Sequence, residues 1–84
     1  MAIQKEIIYK GTSLNYHIIC YYTYNKMTNM TIINLHSYIS KESRNETLEN
    51  YIVINNYTLD GELDRQEQYI QLKNLPDWND SIDI

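Results

Sequence analysis

The sequence predicts a small α+β domain, an antiparallel sheet of about four strands with one C-terminal helix packed on one face. Residues 1–59 contain runs in which apolar and polar side chains alternate, which is typical of strands. Residues 60–75 are rich in Leu, Arg, Gln, Glu and Lys, a composition that favours a helix. Two glycines, one proline and no repeat or linker indicate a single domain over 1–84, ending in a short acidic tail at 76–84.

Three strands are predicted in the first half of the chain. Ile3–Tyr9 alternates and ends at a turn over Lys10–Ser13, where Gly11 supplies a positive φ. Leu14–Tyr24 is the longest alternating run, and a polar break separates it from a third strand, Met30–Ser40.

The faces of these strands follow from their register. We expect the even-numbered residues of the second strand and the odd-numbered residues of the third strand to form the core face. A two-residue loop at Lys26-Met27 would pair Ile18 with Leu35 and Cys20 with Ile33, which unites the two apolar rows. We expect the helix to cover this face.

The second half of the chain supplies one more strand and the helix. Lys41–Asn50 is charged and predicts a loop or a short helical turn, whereas Glu49–Leu59 predicts the fourth strand. Asp60-Gly61 marks its end, and Asp60 could cap a helix that runs from Glu62 to about Asn74. Pro76 disfavours helical geometry before it, and Trp78 is expected to fold back onto the sheet or helix.

Charge and composition exclude several functions. The net charge is −4 and the seven basic residues are scattered, so we expect neither nucleic-acid nor membrane binding. No segment approaches the 18 or so apolar residues of a membrane span, and charges near the N-terminus argue against a signal peptide. We therefore expect a soluble protein made in the cytoplasm.

The sheet face away from the predicted helix carries apolar residues, which we interpret as a protein-binding surface. The residues expected there are Ile19, Tyr21, Met30, Ile32 and Tyr38. An exposed apolar patch of this size usually marks an interface. The alternative is that Ile52, Ile54 or the terminal segments cover the patch within the chain.

No group of residues predicts catalysis or a cofactor. The expected register sets His17 opposite His36, but a zinc site needs three or four ligands, so we predict two polar strand residues and no metal. Cys20 is predicted on the core face, away from both histidines, where a thiol is not activated. We expect a protein that is not an enzyme.

Several short motifs resemble a family of small proteins encoded in the tail-gene modules of phages and prophages of low-GC Gram-positive bacteria. The matching positions are Met1-Ala2-Ile3, Lys5-Glu6-Ile7, Gly11, Asn15-Tyr16-His17, Lys26-Met27-Thr28-Asn29, Ser37-Tyr38, Tyr69, Leu72-Lys73, Leu75-Pro76 and Trp78. The chain departs from the family in a shorter stretch between Glu42 and Asn50, and in Ile18, where the family often has Arg.

The resemblance implies a tail or baseplate accessory protein, a structural or assembly component that becomes part of the virion. Its partners would be other phage structural proteins, or further copies of itself in a homo-oligomer. The acidic charge and small size suit an alternative, a phage-encoded inhibitor that binds a host defence protein. A metal or thiol enzyme using His17, His36 or Cys20 is the third hypothesis, and we favour it least.

Overall fold

The computed structural model describes all 84 residues and confirms the α+β class. Its elements are β1 Ile3–Tyr9, β2 Thr12–Asn25, β3 Met30–Tyr38, α1 Lys41–Glu46, a 3-10 helix Leu48–Asn50, β4 Val53–Asp60, α2 Arg65–Lys73 and β5 Ile82–Asp83. The sheet has five antiparallel strands in the order β4-β3-β2-β1-β5, one more than predicted, and α2 packs on one face. We call the opposite face the far face; it presents Ile18, Tyr21, Ile32, Asn34, His36 and Ile54.

A tight two-residue turn joins β1 to β2. Tyr9 pairs with Thr12, so the turn consists of Lys10 and Gly11, whose φ angles are +50° and +82°. Two consecutive positive φ angles are the signature of the type I′ turn, whose twist matches that of the flanking strands. The predicted turn is therefore confirmed, but it contains two residues, Lys10 and Gly11, and not the four of Lys10–Ser13.

A bulge in β2 makes the predicted register wrong. His17 pairs with Ser37 and Ile19 with Leu35, but beyond Cys20 the register shifts, so that Tyr22 pairs with Ile33. Cys20 is the extra residue of this bulge. The hairpin loop also has four residues, 26–29, where a two-residue loop was expected.

The bulge changes which residues of β2 face α2. His17 and Ile19 face the helix before it, and Tyr22 faces the helix after it. On β3 the odd-numbered residues lie on the helix side, as predicted. The main core consists of Ile3, Ile19, Ile33, Leu35, Leu59, Tyr69, Leu72 and Trp78.

Helix α2 begins at Arg65, and its N-cap is Asp64, not Asp60. The Asp64 carboxylate accepts a hydrogen bond from the Glu67 N–H at 2.8 Å, and the Glu67 side chain accepts one from the Asp64 N–H at 3.3 Å. This reciprocal capping box satisfies two backbone donors at the helix start. The helix ends at Lys73, shortly before Pro76, as the sequence predicts.

The C-terminal segment is part of the fold, which corrects its interpretation as a tail. Trp78 is buried against the sheet, as expected, and its Nε1 donates to the Tyr57 hydroxyl at 2.9 Å. Residues 82–83 then pair with β1 as β5. Two ion pairs, Lys5–Asp80 at 2.8 Å and Lys73–Asp83 at 2.7 Å, hold the segment in place.

Residues 41–50 fold over one end of the far face. Ser40 caps α1 by accepting from the Ser43 N–H at 3.1 Å, and the Tyr38 hydroxyl donates to the Leu48 carbonyl at 2.7 Å. Tyr38 is buried there with Ala2 and Tyr16 in a second, smaller cluster.

Neither helix of the protein combines the length and the apolar character that a membrane crossing needs.

The Tyr69 hydroxyl supports the bulge from the helix side. It accepts a hydrogen bond from the Ile19 N–H at 2.8 Å and donates one to the Met1 carbonyl at 3.0 Å. We expect Tyr69→Phe to lower the free energy of unfolding by about 1–3 kcal/mol, because the buried Ile19 N–H loses its only acceptor. Urea denaturation measures the change.

The matched control is Tyr24→Phe. Its hydroxyl bonds the Asn29 side chain at 2.7 Å, but the site is exposed and water can replace the contact. We expect a loss of no more than about 0.5 kcal/mol there. Equal losses in the two variants would contradict a special role for Tyr69.

Candidate functional site

A groove of about 720 Å³ opens on the far face, within the size range of ligand and side-chain pockets. Its floor is the sheet around β2, β3 and β4, and one wall is the segment 41–51. The lining residues are Ile18, Ile19, Cys20, Tyr21, Asn34, His36, Tyr38, Arg44, Leu48, Glu49, Tyr51, Ile54 and Arg65.

Three aromatic rings lie side by side along the groove. The His36 ring centroid is 4.8 Å from that of Tyr51 and 5.9 Å from that of Tyr21, both in tilted arrangements. Tyr21 reaches this position because the Cys20 bulge turns it to the far face opposite Asn34. Tyr21 remains 68% exposed and Leu48 62% exposed, so the groove presents apolar surface to solvent.

Two guanidinium groups reach the groove from different helices. The Arg65 Nη1 donates to the Ile19 carbonyl at 2.8 Å, and the Arg65 guanidinium carbon lies 5.5 Å from the centre of the Tyr22 ring. The Nε of Arg44 is shielded from solvent and has no acceptor. A guanidinium carries five N–H donors, so the part of Arg44 that lines the groove could donate to a carbonyl or carboxylate oxygen of a partner.

Burial favours the neutral forms of three groups in the groove, Cys20, His36 and Tyr38. Burial raises the pKa of the Cys20 thiol, and the nearby Arg44 and Arg65 charges lower it by less. Burial also raises the pKa of the Tyr38 hydroxyl and lowers the pKa of His36. A protonated thiol is a poor nucleophile, so the groove favours binding over covalent chemistry.

His17 and His36 lie on opposite faces of the sheet, which corrects their expected pairing. His17 pairs with Ser37, and His36 pairs with Ile18, because the register at this point differs from the expected register by one residue. No cluster of three or more His, Cys, Asp or Glu side chains has the geometry of a metal site. Cys20 also differs from the prediction, because its bulge places it at the groove and not in the core.

His17 is a buried core residue with both ring nitrogens bonded. Its Nε2 lies 2.7 Å from the Lys5 carbonyl, which can only accept, so Nε2 carries the proton. Its Nδ1 then accepts from the Ser37 hydroxyl at 2.7 Å, and the ring packs against Trp78 at 4.7 Å. Burial lowers the pKa of His17 despite the bond to Lys5.

The five residues predicted as an interface separate into two groups. Tyr21 and Ile32 are exposed on the far face, and Met30 is half-buried at its end, where it pairs with Asn25. Ile19 is wholly buried beneath α2 because of the bulge, and Tyr38 is wholly buried beneath the segment 41–50. The prediction that Ile19 and Tyr38 belong to the exposed surface is therefore wrong.

Sequence reasoning missed the residues that form the wall of the groove. Arg44 and Leu48 belong to the charged stretch 41–50, whose pattern does not indicate that it folds over the sheet. Tyr51 was predicted in the fourth strand, but that strand begins only at Val53. Arg65 is the first residue of α2, and only the helix position shows that its side chain reaches β2. The alternating pattern of β4 did indicate that Ile54 lies away from the core face.

The raised pKa of Cys20 predicts slow alkylation. Iodoacetamide at about pH 8 should modify folded Cys20 several-fold more slowly than the same residue in urea, because less thiolate is present. Mass spectrometry against time measures both rates. Modification of the folded chain at the rate of the urea sample would contradict the burial of this thiol.

The lowered pKa of His17 predicts that acid weakens the fold. In the unfolded chain His17 titrates near 6.5, so that chain binds more protons than the folded chain as the pH falls through 6.5. The free energy of unfolding should therefore fall between about pH 7.5 and 5.5. Asp80 does not contribute in this window, because its pKa lies below 3.8.

Urea denaturation of the wild type and His17→Gln at the two pH values checks this prediction. Glutamine keeps a donor and an acceptor but does not titrate, so the pH dependence should shrink. It should not vanish, because burial lowers the pKa of His36 as well. An equal pH dependence in both proteins would contradict the assignment to His17.

Comparison with known proteins does not place the chain in a family. No family model matches it, and neither a curated protein nor a solved structure does. The function is therefore inferred from the residues and geometry of the chain itself.

Proposed function

We propose that this chain is a non-enzymatic protein-binding subunit, a structural or assembly component of a phage tail or baseplate that uses the groove of the far face for contact. The observation that carries the protein-binding part is the exposed apolar and aromatic surface around the groove. Tyr21, Leu48, Tyr51 and Ile54 are each at least 39% exposed, and all four line it. Contiguous exposure of this kind is typical of interaction sites.

The composition of the groove supports a protein partner. Tyrosine and arginine are enriched at interfaces because each offers a large contact area together with hydrogen-bond donors. Here Tyr21, Tyr51, Arg44 and Arg65 lie around one opening. The surface would suit a partner that presents apolar side chains together with carbonyl or carboxylate oxygens.

The phage assignment rests on the sequence resemblance. Several of the matching residues maintain the fold: Gly11 forms the type I′ turn, Asn29 has a φ of +53° in the hairpin loop, and Trp78 is buried in the core. The resemblance therefore supports a common scaffold, whose particular partner the groove selects.

Mass spectrometry of purified particles tests this proposal. Phage particles from an induced host carrying this gene should contain the protein at a constant ratio to the major tail proteins after stringent purification. Finding it only in the soluble lysate would overturn the virion assignment. A pull-down with host proteins would then test the alternative, an inhibitor of a host defence protein.

Tyr21→Glu tests whether the far face makes the contact. The side chain is largely exposed, so the free energy of unfolding should change by no more than about 1 kcal/mol. Incorporation into particles should fall about tenfold or more, because a buried interface disfavours an unpaired charge. Ile19→Glu is unsuitable, because it would bury a charge in the core and unfold the chain.

The matched control is Met27→Glu. Met27 is 96% exposed in the loop between β2 and β3 and does not line the groove, so the same charge change should leave incorporation unaltered. Normal incorporation of Tyr21→Glu would show that the partner binds elsewhere. Equal loss in both variants would show that charge alone, not position, is responsible.

A further inference from the structure

The two edges of the sheet differ in how they are protected. At the β1 edge, Lys5 and Glu6 lie at a bulge, and β5 covers Ile3 and Gln4. Charges, bulges and short covering strands are the usual means by which proteins prevent edge-to-edge association. The β4 edge has none of these along Val53–Leu59, and its register on β3 is uninterrupted.

The direction of the free backbone groups on β4 follows from the hydrogen bond at its end. Gly61 continues the register of β4, and its N–H donates to the Asn29 carbonyl at 2.8 Å. Bonding alternates along an antiparallel strand, so the odd-numbered residues of β4 bond to β3. The N–H and C=O groups of Ile54, Asn56 and Thr58 therefore point away from the sheet.

These outward groups are complementary to a second copy of the same strand. When two β4 strands pair antiparallel about a two-fold axis at Asn56, Ile54 faces Thr58 and both residues point to the far face. On the helix side, Val53 faces Leu59. In this register the residues whose backbone groups point away from the sheet, 54, 56 and 58, lie opposite one another in the two copies. They would form about six backbone hydrogen bonds between the strands. The same patch serves both copies, as a closed dimer requires.

Charge does not oppose this pairing. The chain carries −4 overall, but the only charged residue of β4 is Asp60 at its end. In the register centred on Asn56, Asp60 faces Ile52, and the two Asp60 residues are about 26 Å apart along the strands. That separation exceeds the screening length of about 8 Å at physiological salt.

Apolar surface at this edge also favours a second copy. Ile54 is 39% exposed, and Ile32, beside Thr58 on the next strand, is 40% exposed. Pairing brings Thr58 of one copy next to Ile54 of the other, and so joins these residues into one continuous strip of neighbouring side chains on the far face. The far faces of the two copies lie on the same side of the joined sheet, because directly opposite residues in a strand pair project from the same side.

We propose that the chain forms a symmetric homodimer through antiparallel β4–β4 pairing centred on Asn56, producing a continuous ten-stranded sheet with both α2 helices on one side. The inference does not rest on the proposed phage function. In the dimer the two far faces form one surface that carries two copies of the groove. A partner would then meet two equivalent sites in a fixed arrangement.

Sedimentation equilibrium and native mass spectrometry of the purified full chain test the dimer. The wild type should be dimeric at about 0.1 mM. Asn56→Lys should weaken association at least about tenfold, because it sets two like charges directly opposite each other about 5 Å apart. Asn56 is exposed, so circular dichroism should show an unchanged fold.

Thr23→Lys is the matched control, because it adds the same charge to an exposed residue of the same face, away from the edge. It should remain dimeric. Asn56→Asp should also be monomeric alone, and an equal mixture of Asn56→Lys and Asn56→Asp should form heterodimers. That rescue is specific to a register in which Asn56 faces its own counterpart.

Three outcomes would overturn the inference: a monomeric wild type at 0.1 mM, a dimer that Asn56→Lys leaves intact, or a mixture that does not associate. A monomer in these experiments that is nevertheless present in particles would leave the proposed function standing. A confirmed dimer that is absent from particles would support the homodimer and overturn the virion assignment.

Discussion

The bulge at Cys20 is the constraint on which both faces of the sheet depend. Strand β2 spans fourteen residues, and strict alternation would send Ile19 and Tyr22 to opposite faces. The extra residue lets both face α2, with Ile19 wholly buried opposite Leu35. The same residue sends Tyr21 to the far face beside His36. Core and groove are therefore two results of one irregularity, which explains why a bulge that interrupts the ladder is retained.

Helix α2 is bound to this irregularity through backbone atoms as well as by apolar packing. The N–H of Ile19 donates to Tyr69, and its carbonyl accepts from Arg65. Ile19 lies just beyond the end of β1, whose first residue Ile3 pairs with His17, so the Ile19 backbone groups that point to that side have no strand partner. A buried polar group without a partner is destabilising. Two side chains of the helix supply those partners, so the helix has one defined position on the sheet. Because Arg65 also lines the groove, the position of the helix sets part of the binding surface.

The sequence allowed much of the fold to be predicted, and the bulge explains most of the rest. The turn at Gly11, the inward row of β3 and the C-terminal helix followed from alternation, glycine geometry and composition. Strand β2 was ambiguous because both of its rows are apolar, as Ile18 beside Ile19 and Tyr21 beside Tyr22 show. A two-residue strand such as β5 is too short to leave a periodic signal. Tyr21 of the candidate site was predicted, and Ile32 was predicted correctly on the same face, whereas Arg44 and Arg65 reach the site only through tertiary packing.

The distribution of charge separates the two functional hypotheses more sharply than the net charge does. A protein that imitates nucleic acid needs a row of free carboxylates. Here two carboxylates of the C-terminal segment, Asp80 and Asp83, are engaged by Lys5 and Lys73, and they connect that segment to β1 and α2. The groove of the far face instead carries Arg44 and Arg65 among aromatic rings, with Glu49 as the one carboxylate that lines it. The acidic groups therefore serve in part to close the fold, while the surface available to a partner is aromatic and locally cationic. That arrangement favours a structural contact over charge mimicry, because a single carboxylate, that of Glu49, lines the groove and no row of carboxylates does.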